Sequence, residues 1–394
     1  MKRLLPLLAV LLSLPLLGSQ CDSGVLFEEI TPTDLAAPIA VAVDTAKRRA
    51  YVVNSNNTFE FTTTHFSILD LADPANPVLL DDARNPVPFP NFSGQIYLDS
   101  AAGIAYTPNR QSDNPDDITD ALLAIHVDEA SADFGTVDSF TAGENPFGIA
   151  CCDALGRLYV VNSGGDGDGT LDVYDPADLS TFVRISLAVA SDNFGTFNGE
   201  ASTEVAFLGD RAFVTSRFGN IYVINTNEVG DTSKNPIDAV VFNDHDGDYR
   251  GLATDGTLLY VVDADENNND GLPAVRVIDP SLIPAVDPDV PTILELDIGV
   301  VQSTLVSLPK DGLPNEIAIF GGRAYVSNQD DNTVSVIDLA TNSLVTNITV
   351  GDEPFGITPF TIDGVSLVYV TNIRTNSISI IDPATNTVIN TFAP

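Results

Sequence analysis

The chain has no tryptophan, one methionine, three cysteines, three histidines and only four lysines among 394 residues. Without tryptophan there is no indole to stack at a sugar site. His65, His126 and His245 lie far apart in sequence, which argues against a multi-histidine copper or zinc centre. Seventeen Lys+Arg against 55 Asp+Glu give a net charge of −38. Phosphate binding needs clustered basic residues, so nucleic acid and anionic lipid surfaces are poor partners. No CxxCH haem attachment, P-loop, dinucleotide fingerprint or GxSxG elbow occurs in a strand–helix context, so neither haem nor nucleotide is expected. No stretch sustains a 3.6-residue apolar period, so helices should be nearly absent. Cys151 and Cys152 are adjacent and Cys21 stands alone, so there is no disulfide framework. The adjacent pair reads either as two thiols on a strand or as a vicinal disulfide in an oxidising compartment.

What is present is apolar and acidic together. Hydrophobic residues make up 44% of the chain, enough for a large core and unlike a disordered acidic tail. Aspartate outnumbers glutamate 43 to 12. Its short side chain bonds nearby backbone and binds hard cations, so many turns and Ca²⁺ are both expected.

Residues 1–20 read as a signal peptide, with Lys2 and Arg3 before an apolar run from Leu4 to Leu17 that is too short to span a bilayer comfortably. The LLGSQC segment ending at Cys21 resembles a bacterial lipobox, although Gly18 replaces the usual leucine and Gln20 the usual small residue. The resemblance implies acylation of Cys21, export to the periplasm or outer surface, and membrane attachment only through that lipid. Simple secretion is the alternative. Residues 21–36 would form a tether.

From there a pattern repeats seven times. An aromatic, two small or β-branched residues and a polar one recur as YVVN at 51–54, YTPN at 106–109, YVVN at 159–162, FVTS at 213–216, YVVD at 260–263, YVSN at 325–328 and YVTN at 369–372. An alternating segment ending mostly in Asp or Asn follows each, such as VSVID at 334–338 and ISIID at 378–382. Small-residue strands precede and apolar strands follow. Four short strands per unit, stacked in a ring that leaves no open edge, make an all-β, seven-bladed β-propeller of antiparallel blades. Approximate blade limits are 37–81, 94–143, 144–191, 200–243, 249–301, 314–351 and 353–394. Blades one and seven each own four strands, so closure needs no borrowed strand, although residues 25–30 could add one at a terminal edge. The last two units resemble the YVTN family of bacterial and archaeal β-propeller repeats, and the resemblance extends more weakly over nearly the whole mature chain.

The aromatic row should pack between blades with its phenol tips bonded. The Asp ending each third strand should cap a turn. The PFG triplets at 146–148 and 354–356 should begin innermost strands, where glycine permits close backbone approach.

Candidate sites follow from that frame. Loops between second and third strands share a face with the loops between blades, and much acid falls there. The strongest Ca²⁺ candidate is Asp244, Asp246 and Asp248, whose alternation places oxygens on one side of a glycine-containing loop. Asp166 with Asp168, and Asp263 with Asp265, are shorter versions. At the channel mouth the inner strands align Pro38, Gln95, Gly148, Glu204, Gly251, Glu316 and Gly356, preceded by Ala37, Gly94, Phe147, Thr203, Arg250, Asn315 and Phe355. Glu204 and Glu316, with Gln95 and Asn315, would converge on an axial ion or small ligand, and Arg250 would neutralise a glutamate. The leading expectation is a monomeric, non-enzymatic binding or scaffold module that presents its acidic face to a protein, cell-surface polymer or cation. The rivals are a Ca²⁺-dependent lactonase or esterase using Glu204 and Glu316, and an accessory of a periplasmic redox system.

Overall fold

The recurring motif closes the second strand of each of seven antiparallel sheets. Those strands are Arg49–Asn54, Ile104–Asn109, Leu158–Asn162, Arg211–Ser216, Leu259–Asp263, Arg323–Asn328 and Val365–Asn372. Each pairs with an inner strand on one side and a third strand on the other, and an outer strand completes the blade. The chain is a seven-bladed β-propeller. This computed structural model describes residues 35–394 apart from 57–63, 81–86, 90–92, 111–119, 165–167, 192–194, 198, 200, 244–246, 266–271 and 285–292. Residues 1–20, where a signal peptide is expected, Cys21 and residues 25–30 lie outside the described residues. Among the described residues no helix is long and apolar enough to cross a membrane.

Alternation along each strand sends one row of apolar side chains to each face of the blade. Those rows meet in seven buried clusters, one at each junction between neighbouring blades. The aromatic row sits at these junctions: Tyr51, Tyr106, Tyr159, Phe213, Tyr260, Tyr325 and Tyr369 are all at most 1% exposed. The phenol tips behave differently from one another. Tyr369 donates to the Pro74 carbonyl at 2.5 Å and Tyr159 to Asp153 Oδ2 at 2.8 Å, while the Tyr51 hydroxyl has no partner among the described residues.

The ring closes between blades seven and one without a shared strand. Besides the Tyr369 bond, Thr358 Oγ1 donates to the Val41 carbonyl at 2.6 Å, and the Ala37 amide donates to Asn376 Oδ1 at 2.7 Å. The expected turns form. Asp382 Oδ1 accepts the Ala384 amide at 2.8 Å, and Asp338 Oδ1 accepts those of Ala340 and Thr341 at 3.0 Å each.

Two blades depart from the expected limits. In blade five the outer strand is Gln302–Ser307, beyond residue 301. The segment Leu294–Asp297 instead runs parallel to Ile237–Phe242 and covers the outer edge of blade four. Covering an edge blocks unwanted strand pairing. In blade one, Val87–Phe89 joins the third strand beside the two-residue outer strand Val78–Leu79.

The polar residue that ends each motif has a joining role. Asn162 Oδ1 accepts the Gly143 amide from the loop entering its blade at 3.1 Å, and its Nδ2 donates to Thr170 Oγ1 on the third strand at 3.0 Å. Asn54 does the same with the Ala36 amide and Ser67 Oγ. A Cβ on Gly143 or Gly351 would lie 2.5 Å from Asn162 Cγ or 2.6 Å from Asn372 Cγ, so glycine is required where the loop crosses the amide. In blade five the pair is charged. Asp263 accepts the Asp248 amide at 3.1 Å and meets Arg276 at 2.6 Å, with neither residue more than 5% exposed.

Candidate functional site

Every inner strand is bulged near its start. The pairing shifts between Pro38 and Ala40, Pro146 and Gly148, Ser202 and Val205, Tyr249 and Leu252, Pro314 and Ile317, and Pro354 and Ile357. In blade two, Ser93 to Tyr97 spans four steps against three from Asn109 to Tyr106. A bulge turns two consecutive side chains out of the ladder, and here the turned residues face the axis. The ladders match Ala40 with Gly148, so in blade one the aligned residues are Ile39 and Ala40, not Ala37 and Pro38.

The bulged residues line a mouth cavity of about 300 Å³. From the rim inward, Arg110 and Arg217 come from loops after second strands. Next is the row containing Ile39, Phe147, Thr203, Arg250, Asn315 and Phe355. Glu204 and Glu316 lie one residue further in. Glu316 also lines a second cavity of about 200 Å³ below, with Gln95 and Phe355.

The expected convergence of Gln95, Glu204 and Glu316 is observed. Gln95 Nε2 reaches across the axis to Glu316 Oε1 at 2.7 Å, and the two glutamates share a hydrogen bond. A carboxyl–carboxyl bond requires a proton on one partner. Glu204 is 6% exposed, and its Oε1 is buried with no partner. Burial, ahead of the neighbouring Glu316 charge, holds Glu204 well above the ordinary carboxylate range. Burial also raises Glu316 to about 7, against the opposing pull of its bonds to Gln95 and Glu204. Near neutrality the pair is therefore only partly ionised and still holds proton.

Arg250 does not neutralise a glutamate. Its Nη1 donates to Asn315 Oδ1 at 2.5 Å, and its Nη2 meets Asp248 Oδ2 at 2.7 Å. Arg217 Nε holds the other oxygen of Asp248 at 2.9 Å. Burial works to raise the pKa of Asp248, but the bonds from Arg250 and Arg217 outweigh it and leave the value below the usual one. Asn315 Nδ2 donates in turn to Gln329 Oε1 at 2.7 Å.

The Ca²⁺ candidates fare differently. Asp244, Asp246 and Asp166 lie outside the described residues. Asp248 is held by two guanidinium groups, and Asp263 by that of Arg276, with the Asp265 amide also on Asp263 Oδ1 at 3.1 Å. Asp168 is exposed. Among the described residues no group of three or more His, Cys, Asp or Glu is placed to hold a metal. Among the described residues, two carboxylates face one another at the axis. The polar atoms of Gln95 and Asn315 that bond are committed to Glu316, Arg250 and Gln329. That is a poor match to the six to eight oxygens Ca²⁺ takes.

Sequence reasoning missed Arg110 and Arg217. Both directly follow the last residue of a repeat motif, at the position of Ser55, Ser163 and Gln329, which also line the mouth. Reading one residue beyond each motif would have found them. At the inner strand's far end, Cys151 and Cys152 form a vicinal disulfide, with the Tyr97 hydroxyl 3.4 Å from Cys152 Sγ.

No family model and no curated protein matches this sequence. Solved structures do. A hydrazine synthase structure from Kuenenia stuttgartiensis superposes with a TM-score of 0.62 at 14% identity, covering 93% of this chain and 99% of that one. Virginiamycin B lyase from Staphylococcus aureus gives 0.57 at 12%, covering 88% and 94%. The WD40 β-propeller domain of Doa1 gives 0.58 at 11%, covering 88% and 96%. What these share with the present chain is the propeller. At such identities the likeness carries the fold and not the function.

Proposed function

We propose that this chain is an exported β-propeller, held at the membrane by an acylated Cys21, that works as a binding module with its ligand in the axial mouth. The observation that carries this reading is the buried, unpartnered Glu204 Oε1 on the wall of the mouth cavity. A buried acceptor without a donor costs free energy, and a ligand donor placed there would remove that cost. The acidic loops around the mouth would give the molecule a second, outer surface for a partner protein, cell-surface polymer or cation. WD40 propellers among the structural relatives are consistent with a binding role.

Thermal-shift screening of the protein against small polar ligands tests the axial reading. Hits should be lost in Glu204→Gln, and hits that persist in that variant place the ligand elsewhere. Anchoring is tested by Cys21→Ser, which should release the protein from membranes; continued membrane retention refutes the lipid anchor.

A second reading has a specific observation behind it. A carboxyl pair with Glu316 near pH 7 is poised for general acid–base work, and a virginiamycin B lyase is among the similar folds. Turnover of lactones or esters that falls at least a hundredfold in Glu316→Gln would favour an enzyme. Absent or unchanged turnover would leave the binding module standing.

A further inference from the structure

The mouth is polarised in two directions. Along its depth, the rim is positive and the floor negative. Arg217 and Arg250 share the single carboxylate of Asp248, so this trio keeps one positive charge. Arg110 also lines the rim. The floor is the Glu204–Glu316 pair, one residue deeper along the same bulges. Around its circumference, the middle row divides by blade. Thr203, Arg250 and Asn315, from blades four to six, are polar. Ile39, Phe147 and Phe355, from blades one, three and seven, are apolar. The Phe147 and Phe355 rings meet edge to face, with centroids 5.9 Å apart.

We propose that the axial mouth binds an apolar α-amino acid, with its ammonium group on Glu204 and Glu316, its carboxylate toward Arg217 and Arg250, and its side chain against Ile39, Phe147 and Phe355. This deepens the binding-module reading and rests on it. An ammonium group offers three donors, and the floor offers a partnerless carboxyl oxygen beside a second carboxyl. A carboxylate is the anion that a guanidinium fork matches. A bare divalent cation would gain the glutamates but would sit beneath the positively charged rim, and a simple amine would leave the arginines unused. The net charge of −38 would draw the ammonium end toward the protein.

The proton on the floor sets the pH dependence. An ammonium ion needs the carboxylate form, so binding expels a proton, and affinity rises with pH through the upper titration of the pair. Among the described residues, the charged groups facing the pair from the surrounding elements are Arg110, Arg217, Arg250 and Asp248. Asp248 is held ionised by its two arginine partners.

Calorimetry on the full chain decides the matter with L-leucine, 3-methylbutylamine, 4-methylpentanoate and CaCl₂ as probes. L-Leucine should bind at least tenfold more tightly than either single-charged analogue. It should release protons in a buffer-dependent heat and weaken about tenfold from pH 8 to pH 6. Glu204→Gln should weaken leucine and the amine at least tenfold and spare the acid. Arg217→Gln should weaken leucine and the acid and spare the amine. The comparison among probes needs only the wild-type protein, so it stands if a variant fails to fold. Leucine binding no tighter than the amine, or unaffected by Glu204→Gln, overturns the assignment. Calcium binding that is lost in Glu204→Gln, with no amino-acid binding, overturns it while keeping the mouth as a ligand site. No heat from any probe, together with no hit in the wider screen that Glu204→Gln abolishes, overturns both readings.

Discussion

Blades five and seven build the same joint from different chemistry. In blade seven, Asn372 sits at the end of the second strand and donates to Ser377 Oγ and Ser379 Oγ at 3.0 Å each. In blade five, Asp263 takes that place, and Arg276 stands on the third strand where blade seven has Ser379. The charged joint ties the incoming loop to the sheet through the Asp248 amide, whereas the Asn372 side chain ties the second strand to the third and its Oδ1 has no partner among the described residues. The neutral joint can lose a partner and leave one unsatisfied amide. The charged joint cannot lose one partner without burying an unpaired ion. Regularity in the repeat therefore goes with tolerance, and blade five, which departs from it with a charged pair, also supplies Arg250 to the mouth.

The comparison can be broken by measurement. Asp263→Ala strands the Arg276 guanidinium and should cost about 3–5 kcal/mol, whereas Asn372→Ala should cost about 1–2 kcal/mol. Urea unfolding of the two variants checks this, and equal costs would mean the joints are equivalent. Replacing both members, Asp263→Asn with Arg276→Ser, rebuilds the blade-seven chemistry and should recover most of the loss. Two tyrosines of the aromatic row offer a finer version. Tyr369→Phe removes the bond to the Pro74 carbonyl at the ring closure and should cost about 1 kcal/mol. Tyr51→Phe removes a partnerless hydroxyl and should be neutral or slightly stabilising. A loss in Tyr51→Phe as large as in Tyr369→Phe would overturn this contrast.

A further effect concerns pH. Glu204 and Glu316 have raised values in the fold, so the stability tied to their protonated forms is complete below the ordinary glutamate value near 4.5 and is lost as pH rises through about 7. The melting temperature of the unliganded protein should fall by a few degrees between pH 5 and pH 8. Glu316→Gln should flatten that fall. A slope unchanged in Glu316→Gln would place the titration elsewhere.

Much of this was legible from the sequence, because the decisive signals are local. An aspartate and the amides two and three residues on form a turn wherever they occur, and period-two alternation marks a strand without reference to its neighbours. The joint was not legible. The asparagine of YVVN is visible, but its partners come from another strand and from the previous loop, and only register brings them together. Blade one slipped by two residues because Ala40 replaces the glycine that marks the bulge in blades three, five and seven. The outer strand of blade five was misplaced because the stretch before it contains Leu294–Asp297, which is as strand-like as the strand it displaced. Arg250 was identified but given the wrong partner, since nothing in the sequence distinguishes Asp248 from a glutamate across the axis. Arg217 escaped because it stands one position outside the repeated motif.

The residues facing the axis at the depth of the glutamates have an arithmetic consequence. From blade one to blade seven they read Ala40, Gln95, Gly148, Glu204, Gly251, Glu316 and Gly356, small and large by turns. An odd ring cannot sustain such an alternation, so two small residues must meet somewhere, and they meet where Gly356 faces Ala40. A Cβ on Gly356 would stand 2.4 Å from the Ile39 carbonyl, so the backbones there are already in contact. The lower cavity lies on this side, bounded by Ala40, Gly356 and the Gln95–Glu316 bridge. Parity alone gives a sevenfold propeller of this kind a lopsided floor, with a cavity at the seam where the two ends of the ring meet.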